Sequence, residues 1–117
     1  MKIFTKLTPL TLTPITASPF KTENNPVSIA YSPNGAFAAV ANRDSNNVSV
    51  FAMDHTTGSL TPVPGSPFAT GHGPTAIAYS PQGNLALIAN RDHSTVSVYE
   101  VHRTTGAFAP LSGTQLK

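Results

Sequence analysis

The 117-residue sequence predicts an all-β fold of short antiparallel strands, and three observations predict it. Charged residues make up only 10%, against roughly a quarter in an average soluble domain. The surface must therefore be wetted by Thr, Ser, Asn and backbone groups, which disfavours a helical bundle. Glycine (8) and proline (11) interrupt the chain every few residues and leave room only for short elements. Finally, the chain repeats itself at a constant offset of 48 residues. At this length it forms one domain at most.

The repeat is detailed. Leu12-Thr13-Pro14-Ile15 and Ser18-Pro19-Phe20 return as Leu60-Thr61-Pro62-Val63 and Ser66-Pro67-Phe68. Ile29-Ala30-Tyr31-Ser32-Pro33 returns as Ile77-Ala78-Tyr79-Ser80-Pro81, and Ala41-Asn42-Arg43-Asp44 as Ala89-Asn90-Arg91-Asp92. About half the positions are identical and no gap is needed. A period of this size marks an array of one supersecondary unit.

Each unit reads as four strands. Val27 to Tyr31 alternates and ends at Ser32-Pro33-Asn34-Gly35, a sequence suited to a type I turn that closes a tight hairpin. Ala36 to Asn42 is apolar on both faces, as a strand between two packed layers must be. A polar connection, residues 42–47, leads to the alternating strand Val48 to Met53. After His55-Thr56-Thr57-Gly58, the fourth strand Leu60 to Val63 runs into Pro62 and Pro64, which places it at a sheet edge.

A four-stranded meander of this length, with prolines on its last strand, describes a β-propeller blade. The recurring Ala30, Ala38 and Ala41 (Ala78, Ala86 and Ala89) supply the small side chains needed where blades converge on an axis. A parallel β-helix lacks the hairpin turns. The expected organisation is 1–25 as the outer strand of a preceding blade with its linker, 26–73 as one blade and 74–117 as the next. First, second and third strands occur twice, whereas fourth strands occur three times, starting near 12, 60 and 108. Such a chain is an incomplete ring by itself.

Each end would expose a blade face of roughly 250–300 Å², or up to about 7 kcal/mol of unburied apolar surface. That is comparable with the whole stability of a small domain. Head-to-tail association into a homotrimer or homotetramer is therefore expected, with six or eight blades. One fourth strand per chain, within Lys6 to Ile15 or Ala107 to Leu111, would then be displaced. The alternative is a fragment of a longer propeller.

The run Thr57 to Phe68, followed by Gly73-Pro74, Ile77 to Gly83, Ile88-Ala89-Asn90 and Thr95 to Tyr99, resembles blades of the seven-bladed lactonase-type propellers. These are also called YVTN-repeat or 6-phosphogluconolactonase-like proteins. The resemblance covers nearly the whole chain from Leu12 onward. It implies a propeller fold and, as an activity, opening of a sugar lactone.

The remaining sequence narrows the chemistry. The net charge of +2 comes from Lys and Arg scattered singly, so nucleic acid is not an expected partner. Absence of cysteine removes thiol catalysis and Cys-based zinc sites. No apolar run is long enough for a membrane-spanning helix. Pro9 and Pro14 interrupt what would be the apolar part of a cleaved leader, and residues 12–20 belong to the repeat.

The loops from second to third strand and between blades share one face in a propeller. Here they carry Glu23, Asn24, Arg43, Asp44, His72, Arg91, Asp92 and His93. Two histidines beside an acid are metal-ligand types, but Asn24 and Ser45 replace them in the first unit, so no metal and no cofactor is expected. Asp92-His93-Ser94 contains triad residue types, yet chain neighbours point apart, so no catalytic residue is assigned. Two readings stand for Arg43-Asp44 and Arg91-Asp92. In one, Asp caps the connection through backbone N–H groups while Arg pairs with the adjacent blade or is solvated. In the other, with His72 and His93, they bind a small anionic or sugar-like ligand. Lack of Trp weakens a lectin reading. A non-catalytic binding or scaffold module is thus expected, with a lactonase-type hydrolase as the alternative.

Overall fold

The computed structural model describes residues 12–111; residues 1–11, which include Pro9 and most of the stretch weighed as a cleaved leader, and residues 112–117 lie outside the described part. Among the described residues nine strands form two antiparallel sheets. The first contains β1 (Pro26–Tyr31), β2 (Phe37–Asn42), β3 (Asn47–Met53), β4 (Leu60–Pro62) and β5 (Phe68–Ala69). The second contains β6 (Pro74–Tyr79), β7 (Leu85–Asn90), β8 (Thr95–Val101) and β9 (Phe108–Pro110). Each is a meander in chain order, with β5 added beside β4 on the outer side of β3. The two sheets are propeller blades, and they do not close a ring.

The β1–β2 turn forms as its sequence requires. Gly35 N donates to Ser32 O at 2.8 Å with Gly35 at φ +75°, a conformation that favours glycine. The Ser32 hydroxyl accepts from Phe37 N and donates to Asn34 Oδ1, which locks the hairpin. The second sheet repeats the device, with Ser80 accepting from Leu85 N.

The outer strand of the first sheet departs from the expected single run. Leu60–Pro62 and Phe68–Ala69 both pair with β3, at its two ends. Between them the chain bulges, and the Ser66 hydroxyl accepts from Val50 N at 2.8 Å, so this β3 donor is satisfied by a side chain where the outer strand is interrupted by prolines. The opening copy of this motif forms no ladder: residues 12–15 are not a strand. Its natural partner would be a third strand of a preceding blade, which the described residues do not contain. The copy nevertheless keeps the local turn, with Ser18 N donating to Ile15 O at 3.0 Å as Ser66 N donates to Val63 O.

The core lies between the sheets. Phe37, Ala39, Ala41, Val48 and Val50 from one face of the first sheet meet Ile77, Ala86, Ile88, Tyr99, Val101 and Phe108 of the second. All of β2 is buried, in accord with its two-sided apolar sequence. Its counterpart β7 is buried on one side only, because no third sheet covers Leu87 and Ala89. Tyr31 is 60% exposed for the same reason on the opposite end. Phe68 fills the gap between the two sheets, stacking on Phe108 at 5.4 Å.

Tyr79 and Tyr99 are the buried phenols of this core. Burial pushes both upward in pKa, and for Tyr99 it outweighs a hydrogen bond with Ser97 that acts the other way. The folded state then holds the phenolic protons more tightly than the unfolded chain. Stability is full below the usual tyrosine value of about 10 and falls as pH rises beyond it. Urea unfolding midpoints should drop across this alkaline range, and Tyr79→Phe should flatten the drop. Because the Tyr79 hydroxyl is buried without a hydrogen-bond partner, that substitution should not lower stability at neutral pH.

Candidate functional site at the inter-blade loop face

Each second-to-third strand connection is a short 3-10 turn, Arg43–Ser45 in the first sheet and Arg91–His93 in the second. A left-handed residue, Asn46 or Ser94, ends each turn. The turns are anchored through their backbones. Arg43 N donates to Asn25 O at 2.9 Å and Asp44 N to Asn24 O at 3.3 Å. Likewise Arg91 N donates to Gly73 O at 2.9 Å and Asp92 N to His72 O at 3.2 Å.

This arrangement corrects the expectation that Asp caps the turn. The backbone N–H groups of the turn are taken by carbonyls of the loop before the first strand. Among the described residues neither Asp44 nor Asp92 accepts a hydrogen bond, and no ion pair ties Arg43 or Arg91 to the adjacent blade. Asp44, Arg91 and Asp92 are exposed. Arg43 is half-buried, with Nε shielded from solvent and unpartnered. The Asp92 carboxylate lies against Gly73, where a Cβ would collide with it.

His72 and His93 come together, with ring centroids 4.2 Å apart. His93 Nδ1 accepts from His72 N at 3.3 Å. The first sheet makes the same bond with different chemistry, Asn24 N donating to the Ser45 hydroxyl at 2.9 Å. His93 thus does a serine's work in the loop, and when neutral it carries its proton on Nε2. Asp92, His93 and Ser94 form no relay, since the one nitrogen of His93 with a protein partner faces the His72 amide. Among the described residues no group of three His, Asp or Glu side chains could hold a metal.

Two amides beneath the turns escaped the sequence reading. Asn42 and Asn90, 0% and 1% exposed, end β2 and β7. Asn42 Nδ2 donates to Asn47 Oδ1 and the Ser49 hydroxyl, both at 2.9 Å. Asn90 Nδ2 donates to Thr95 Oγ1 and, at 2.8 Å, to the Ser97 hydroxyl. They clamp the base of each turn, and their recurrence at the 48-residue offset was the available signal. Asn46 ties the first turn to the connection that leads into the second sheet: its carbonyl accepts from Thr70 N and its Oδ1 from Gly73 N, both at 3.0 Å. On the opposite face, His102 Nδ1 accepts from Thr104 N and Thr105 N at 3.2 Å, where the first sheet uses Asp54 Oδ1. His102 therefore shapes its loop.

Two adjacent meander blades of five and four strands, with charged turns gathered on one loop face, define a propeller segment. Residues 3–116 match the family model described as lactonase, 7-bladed β-propeller, and the chain belongs to that family. It is similar to a putative 6-phosphogluconolactonase from Bacteroides fragilis, at 30% identity and TM-score 0.69, over 74% of this chain and 24% of that one. It is also similar to the periplasmic gluconolactonase of Pseudomonas aeruginosa, at 28% identity and TM-score 0.71, over 86% of this chain and 27% of that one. A putative 6-phosphogluconolactonase from Bacteroides uniformis aligns at 28% identity and TM-score 0.69, over 74% and 25%. The chain spans about a quarter of the length of these structures. A comparison with curated proteins found no match.

Proposed function

We propose that the chain is a non-catalytic propeller binding module that takes a small anionic sugar derivative on its 3-10 turn face. The observation that carries this reading is the display of Arg43-Asp44 and Arg91-Asp92 on equivalent turns, without ion-pair partners among the described residues. Guanidinium groups match carboxylate or phosphate in a two-bond geometry, and the neighbouring carboxylates accept from sugar hydroxyls. Use of His93 Nδ1 as a loop acceptor supports binding over catalysis.

A second reading, sugar-lactone hydrolysis, is favoured by family membership and by the names of the Bacteroides and Pseudomonas proteins. Titration calorimetry with 6-phosphogluconate, gluconate and glucose separates the two when run beside a proton-release assay on gluconolactone. The binding reading expects saturable heat with the two anions, an affinity loss of about tenfold for Arg91→Ala, and no turnover above the spontaneous rate. Turnover above that rate would establish the hydrolase. Absence of saturable binding to either anion would reject the binding module.

A further inference from the structure

We propose that the two end faces of the chain are the two halves of one interface, through which it binds a second copy of itself head to tail. The contact between the two sheets shows what each half looks like. One half, on the first sheet, includes Ala39, Ala41, Val48 and Val50. The other half, on the second sheet, includes Ile77, Tyr79, Ala86 and Ile88.

Both halves occur again 48 residues away, and each presents exposed apolar side chains. The counterparts of the first half are Leu87, Ala89, Val96 and Val98 on the outer face of the second sheet, where Leu87 is 40% and Val96 53% exposed. The register places them together: Leu87 pairs with Val98, and Ala89 with Val96. The counterparts of the second half are Ile29, Tyr31, Ala38 and Val40 on the outer face of the first sheet, where Ile29 and Tyr31 on β1 are each 60% exposed while Ala38 and Val40 on β2 stay buried, so the open part of this half is its β1 side. Ile29 and Tyr31 are identical to Ile77 and Tyr79. A second copy that repeats the relation between the two sheets brings Leu87 and Val96 of one chain over Ile29 and Tyr31 of the next. The contact is heterologous, so repetition closes a ring when the rotation per chain allows it.

Two details bear on the fit. Glu100, exposed in the single chain and paired with Leu85 at one end of the β7–β8 register, stands where the first sheet has Ala52, a half-buried residue packed against the core, so docking has to leave its carboxylate a path to solvent. Ile15 lies against Gly58, whereas the equivalent Gly106 receives Phe37. Leu85, the counterpart of Phe37, displaces Ile15 when a second copy docks. The displaced segment is the surplus fourth strand, which makes no ladder in the single chain.

Sedimentation equilibrium of the full chain at micromolar concentrations tests the proposal. The expected mass is three or four times that of one chain, for six or eight blades. Ile29→Asp spoils one half and Leu87→Asp the other, both at exposed positions, so each variant should sediment as a single folded chain by circular dichroism and mass. Mixed together, the two variants keep one intact pair of halves and should give a two-chain species and nothing larger. A single-chain mass for the unmodified protein would overturn the proposal. So would persistence of the assembly in either variant, or a mixture that stays at single-chain mass.

Discussion

Phe108→Ala is expected to lower the unfolding free energy by about 3–5 kcal/mol, a large share of the roughly 5–15 kcal/mol that holds a small domain together. Phe108 is 5% exposed at the start of β9 and is the hub of the aromatic core. Its ring stacks on Phe68 of the first sheet at 5.4 Å and on Tyr99 at 5.5 Å, and meets Tyr79 edge-on at 6.0 Å. Truncation removes the ring that joins one blade's outer strand to the next blade's core. The surrounding aromatic rings are too rigid to refill the space. Phe108→Leu keeps most of the apolar volume and should cost less, the difference reflecting ring contacts worth about 0.5–1.5 kcal/mol each. Urea unfolding followed by far-ultraviolet circular dichroism measures both. A loss below about 1 kcal/mol for Phe108→Ala would show that this aromatic cluster does not hold the blades together.

Gly106→Ala should be far more damaging than Gly58→Ala, although the two glycines are repeat equivalents with nearly the same backbone, φ +81° and +80°. The left-handed conformation costs an alanine about 1–2 kcal/mol at either site. The neighbours differ. A Cβ on Gly106 would come within 2.5 Å of the Phe37 ring, and Phe37 is buried between the sheets. A Cβ on Gly58 would meet only Ile15 Cδ1 at 3.1 Å, and Ile15 is exposed enough to swing aside. Overpacking adds about 1–3 kcal/mol for Gly106. The expected losses are therefore about 1–2 kcal/mol for Gly58→Ala and about 2–5 kcal/mol for Gly106→Ala. Equal unfolding midpoints for the two variants would contradict the packing of Phe37 against the second blade.

The same pair of glycines shows how far a sequence can be read. Thr56-Thr57-Gly58 and Thr104-Thr105-Gly106 are indistinguishable as strings. Their local turns are indeed alike, because left-handed glycine and short hydrogen bonds depend only on near neighbours. The strand order, the Ser-Pro-x-Gly hairpins and the two-sided apolar β2 were legible for that reason. The candidate site was legible in part. Arg43-Asp44 and Arg91-Asp92 announced themselves by recurring, but the anchoring of their turns by the carbonyls of Asn24, Asn25, His72 and Gly73 spans about twenty residues of chain. No short pattern encodes such a bond. The exchange of Ser45 for His93 as acceptor looked like a lost metal ligand in the sequence and is the same hydrogen bond made twice in the structure.

Sequence alone determined that this protein is built from a 48-residue, four-stranded unit, because hydrophobic alternation, proline placement and turn chemistry act over a few residues and recur intact. The tertiary structure alone decided which equivalent residues differ in fate. Tyr79 is shielded and Tyr31 is exposed; Ala41 is buried and Ala89 open. Burial depends on which face has a neighbouring blade, a property of the stacked array that identical strings of residues cannot record.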